Sequence, residues 1–229
     1  MNTTLLNTWT RLAFAFVPLA LVGCAAPSSD DSDGDLDSTV EAWTAALPVG
    51  TSGATAVSSV TILGCKFTVG TAIQAPPYPP KYVAYVQKTS TGTCTGALGY
   101  QVLGYSYSTP AVSIAKHPFL SYLSASYTMK QTPSGSAHYS LGIARVAFSD
   151  GRINRTTSLA AMADPGNPST GNVTSGALSI NLWGDLTVTG NKNGTIPGET
   201  GTGSHFIARY VGWCAGTTSS VAPTSLTAY

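Results

Sequence analysis

The sequence predicts an all-β domain, an antiparallel meander closed into a barrel or folded into a β-sandwich. Three observations carry this. Short segments rich in Val, Ile, Thr and Tyr alternate apolar and polar residues at period two along most of the chain. Turn-forming clusters between them draw on 24 Gly and 14 Pro in 229 residues. No stretch sustains a helical period. A chain of this length holds one ordinary domain with a leader in front, and such a domain buries a sufficient core without metals.

The leader comes first. Residues 1–11 carry Arg11 as their only charged side chain, and the eleven residues 12–22, "LAFAFVPLALV", have no charged or polar side chain. That run is too short to cross a bilayer, which takes ~20 apolar residues, and fits the core of an export signal over residues 1–23. It closes on "LVGC", with Leu21, then small Gly23, then Cys24. This pattern, at the end of an apolar run and followed at once by polar sequence, resembles the lipobox of bacterial lipoproteins. The resemblance covers residues 1–24 only. It implies cleavage before Cys24, a diacylglyceryl group on its thiol, and the membrane as a partner through that anchor. Two or three acyl chains hold nearly permanently, since each buried CH₂ adds ~0.8 kcal/mol. Ala25 rather than Asp follows the cysteine, which in lipoproteins of enteric type implies the outer membrane; the periplasmic face of the inner membrane is the alternative.

Residues 24–54 read as the lipidated cysteine and a disordered acidic linker. Asp30, Asp31, Asp33, Asp35 and Asp37 crowd a segment with little apolar content. A calcium loop needs oxygen ligands at positions 1, 3, 5 and 12 with Gly at 6. Starting at Asp31 puts Leu36 and Ala42 at the last two of these positions, and starting at Ser29 puts Val40 at the twelfth. No metal site is expected. The stretch reads instead as a self-repelling spacer. The region 56–229 is its opposite in sign, with ten Lys and Arg against four carboxylates, a net +6. Those cations are scattered singly, which argues against nucleic acid.

The domain proper is expected over 55–229, with strands at 56–63, 65–73, 81–89, 99–108, 111–117 and 121–130. Further strands are expected at 139–149, 152–160, 177–183, 185–191, 204–213 and 224–229. "SDGR" at Asp150-Gly151 suits a two-residue hairpin, and "NKNGT" at Asn193-Gly194 a second hairpin or a bulge turn.

Candidate chemistry is sparse. With Cys24 acylated, Cys65, Cys94 and Cys214 remain in a disulfide-permissive compartment. Cys65–Cys94 closes the shortest loop and is the favoured pair, with pairs to Cys214 left open. "GTCTG" around Cys94 looks like a nucleophile elbow with Cys for Ser, but no helix follows it. His205 in "TGSHFIARYVGWC" resembles part of the Ser-His-Gly-Cys signature of L,D-transpeptidases. The Gly-Cys pair does not follow the histidine, and an extended chain puts residues 205 and 214 roughly 30 Å apart. No spacing supports zinc, a nucleotide loop or a dinucleotide fingerprint, and no cofactor is expected. Aromatic residues late in the chain, Trp183, Tyr210 and Trp213, are the candidate contacts for a sugar ring.

The function expected is a lipid-anchored cell-envelope protein with a non-catalytic binding or structural β domain, its most plausible ligand a cell-envelope glycan. Two alternatives stand beside it: a cell-wall hydrolase or transpeptidase using His205 and Cys214, and a surface-coat or adhesion module.

Overall fold

The computed structural model describes residues 42–118, 121–134, 138–163, 171–216 and 220–229. The expected export signal, Cys24 and the aspartate cluster lie outside the described residues. Within them the chain is all-β. In order the strands are β1 (Thr51–Ile62), β2 (Cys65–Gln74), β3 (Lys81–Ser90), β4 (Gly99–Ser106), β5 (Val112–Lys116), β6 (Tyr122–Lys130) and β7 (Tyr139–Ala147). There follow β8 (Ile153–Ala160), β9 (Asn172–Val173), β10 (Ala177–Ile180), β11 (Leu186–Asn193), β12 (Thr200–Gly201), β13 (His205–Tyr210) and β14 (Ser225–Ala228).

Strands β1 to β4 form one antiparallel sheet in sequence order. The other ten strands form a second sheet, ordered β12-β14-β13-β11-β9-β7-β6-β5, with β8 on β7 and β10 on β11. This large sheet supplies two layers, because both faces of its β6–β7 part are buried. The period of two sorts the side chains. Leu123, Ala125, Ala144 and Val146 meet Phe67, Val69, Ala84 and Val86 of the four-stranded sheet. Leu141 and Ile143, on the opposite face of β7, meet Leu186, Val188, Phe206, Ala208 and Trp213. The architecture is thus a sandwich with a second core behind its middle layer.

One close approach needs glycine. Tyr127 of β6 lies between Gly104 and Gly142, where an added Cβ would stand 2.5 Å and 2.6 Å from its ring. A side chain at either position would push the ring out of the seam between the sheets.

Residues 42–54, ahead of the expected boundary at residue 55, belong to the fold. Strand β1 starts at Thr51, and Trp43 is buried in the first core against Phe67. Trp43 N–H donates to Asp150 O at 2.8 Å, and Thr44 exchanges backbone bonds with Tyr100 at the edge of β4. A buried indole outweighs the polar composition around it. The expected strand at 177–183 ends at Ile180, because Asn181 Oδ1 accepts from the amides of Trp183 and Asp185 and folds the chain into a turn. Asn193-Gly194 closes no hairpin. Strand β11 ends there, and Thr195 bridges to Met162 instead.

Candidate functional site

Cys65 and Cys94 are joined in a disulfide, which leaves Cys214 as the free thiol among the described residues. It is buried, and the residue it meets is His117, with Sγ 2.6 Å from Nδ1. His117 follows the last residue of β5, and Cys214 lies in the turn after β13. Two layers of the fold bring together residues 97 positions apart.

The surrounding groups come from neighbouring strands of the middle layer, all on the face turned to the second core. Ser124 of β6 lies 3.2 Å from His117 Nε2. The indole Nε1–H of Trp213 donates to the same Ser124 oxygen at 2.9 Å. Arg145 of β7 donates through Nη1 to Trp213 O and Cys214 O at 2.8 Å and 2.6 Å, and through Nε to Asn154 Oδ1 at 2.7 Å. Arg155 of β8 donates to Gly212 O at 3.0 Å and to Trp213 O at 2.6 Å. Each guanidinium also faces a ring: Arg145 covers Tyr122 at 4.9 Å and Arg155 covers Trp213 at 4.8 Å. Three consecutive carbonyls of the 212–214 turn thus converge on two buried cations, and charge-assisted bonds of this kind are the strong ones. Gly212 makes the turn possible with φ +66°, a conformation costly for other residues.

Burial first, and the positive charge of Arg145 second, pull His117 down to about 4. The imidazole is therefore neutral at physiological pH and carries one proton. With the thiol donating to Nδ1, that proton sits on Nε2 and is donated to Ser124 Oγ, which accepts from Trp213 as well. The thiol, both ring nitrogens and the indole N–H thus each have a partner, as buried groups require.

A thiol beside a neutral imidazole held by a third group is the arrangement nucleophilic catalysis uses. What it lacks is access. His117 is 2% exposed and Cys214 5% exposed. Two surface grooves, one of about 440 Å³ over β1–β3 and one of about 320 Å³ beside β8, are lined by other residues. No third metal-ligating side chain joins the pair among the described residues.

The residues singled out from sequence are dispersed. His205 does not reach Cys214. It lies at the far end of β13, its Nδ1 2.6 Å from Asn191 Oδ1 and its ring against Tyr229. Of the three aromatic candidates only Trp183 is on the surface. Tyr210 and Trp213 are 1% and 0% exposed, because Phe206, Ala208 and Tyr210 alternate inward along β13 and Trp213 packs edge-on against Tyr210. They are core residues, and no stacking surface is built from the three. His117 and Ser124 went unnoticed in sequence, since nothing local marks a pair whose partner depends on which layer folds over it.

No protein-family model matches the chain, and neither a curated protein nor a solved structure does.

Proposed function

We propose that this is a lipid-anchored cell-envelope protein whose β domain works by binding or as a structural module, without catalysis. The leader ending in "LVGC" supports the anchored half of this reading. The observation that carries the non-catalytic half is the sealing of Cys214 and His117 beneath their own turn. There the pair serves as a polar seam. It ties the 211–216 turn to the middle layer, together with two arginines that hold the turn's carbonyls. Of the three rings expected to stack on a glycan, Trp183 alone is exposed.

Thiol labelling tests the seam. In the folded protein Cys214 should resist an alkylating reagent and react fully once denaturant is added. Stoichiometric labelling of the folded protein, slowed by His117→Gln, would instead identify an accessible, base-activated nucleophile and overturn the non-catalytic reading.

A further inference from the structure

The register places the turns at either end of the molecule. Lys116 is opposite Leu123, and Tyr122 is opposite Ala147, so the β5–β6 and β7–β8 turns share one end. Lys88 Nζ donates to Phe148 O at 2.7 Å, which brings the Cys65 end of β2, and the β1–β2 turn, to that same end. Cys214 N–H donates to Gly184 O at 3.1 Å, which adds the β10–β11 turn. Trp43, tied to Asp150, shows that the described chain also begins there.

This end carries large apolar side chains at its turns. Leu63 is 84% exposed, Leu182 68%, Trp183 80% and Val211 64%. Exposed Lys116 lies between them on the middle layer. The Leu182–Trp183 tip is rigid. Asn181 Oδ1 accepts from Trp183 N–H and Asp185 N–H, its Nδ2 donates to Asp185 Oδ2 at 3.1 Å, and Asp185 Oδ1 accepts from Gly212 N–H at 2.8 Å. The two carboxylates at this end are occupied: Asp185 by those bonds, Asp150 by Arg152 at 3.5 Å.

We infer that this end of the domain seats on a phospholipid surface, with Trp183 and Leu182 entering the interfacial layer and Lys116 facing anionic headgroups. The inference rests on the anchored reading above. Its apolar groups stand on separate turns and line neither of the two surface grooves, and a fluid interface accepts separate protrusions. Tryptophan is the side chain most at home at that depth, and basic residues near the surface are drawn to anionic lipid. The described chain begins at this end, next to Trp43. The 18 residues between Cys24 and Trp43 reach at most ~60 Å, so an anchor at Cys24 lies within reach of this end.

The test reconstitutes the full chain into vesicles of phosphatidylcholine and phosphatidylglycerol, with and without brominated acyl chains that quench indole fluorescence. Trp43 and Trp213 are buried, and subtracting the spectrum of Trp183→Phe isolates Trp183. The expected result is about a twofold or greater loss of the Trp183 emission in brominated vesicles. Protein that floats with both kinds of vesicle while its Trp183 emission is unchanged would overturn the inference and leave the anchor standing; that outcome would turn the tip toward a protein partner. Protein that floats with neither would overturn both.

Discussion

Lowering the pH from about 7 to about 4 is expected to remove roughly 3 kcal/mol of stability through His117 alone. The ring has an ordinary value of 6.5 when the chain is unfolded and about 4 in the fold. Between those values the unfolded chain binds a proton that the folded chain does not, so stability rises with pH across this window and falls on acidification. The benefit is complete above the unfolded value and gone below the folded one. A protonated ring would turn a second N–H onto the thiol and add a charge beside Arg145. Denaturant midpoints across this range in the wild type and His117→Gln give the measurement. The variant should start less stable and lose less on acidification. Parallel pH dependence in the two proteins would show that His117 is not the buried neutral group described.

Breaking one partner of the Lys192–Glu199 pair should cost about 3–5 kcal/mol, the penalty for leaving a buried charge alone. The side chains are 3% and 5% exposed, and Nζ stands 2.9 Å from Oε1. Lys192 also donates to Gly194 O at 2.7 Å, and Glu199 Oε2 accepts from Ile196 N–H at 3.0 Å. The pair folds the 194–199 loop so that Ile196 enters the second core. Glu199→Gln keeps an acceptor for Ile196 N–H but strands the ammonium. The double variant Lys192→Met/Glu199→Gln removes the stranded charge and should recover most of the loss. Unfolding free energies of the three proteins decide this; a single variant within about 1 kcal/mol of the wild type would show the pair to be solvated in the fold.

Much of the architecture was legible because strand burial has a period of two, and that period is written residue by residue. The twelve segments expected from alternation correspond to β1–β8, β10, β11, β13 and β14. Strands β9 and β12 have two residues each, too short to show any alternation. The early start of the domain was missed because Trp43 is a single apolar residue in polar sequence, and its burial depends on Lys88, Phe67 and Phe148 far along the chain. The site was less legible. Burial of Tyr210 could have been read from its phase with Phe206 and Ala208, since His205, Ile207 and Arg209 take the other face. That Cys214 meets His117 rather than His205 follows from a layer folding back over the middle sheet, which leaves no local trace.

The arrangement as a whole separates chemistry from surface. The groups able to react are locked into a seam beneath the 211–216 turn, and exposed Leu63, Leu182, Trp183 and Val211 stand at the turns of the end where the described chain begins. The proposed anchor at Cys24 is the premise on which the seating of that end depends. Mass spectrometry of the N-terminal peptide from membrane-fraction protein tests it most directly. The predicted result is a chain that begins at Cys24 and carries a diacylglyceryl group on its thiol. An unmodified Cys24 peptide recovered from soluble protein would contradict it.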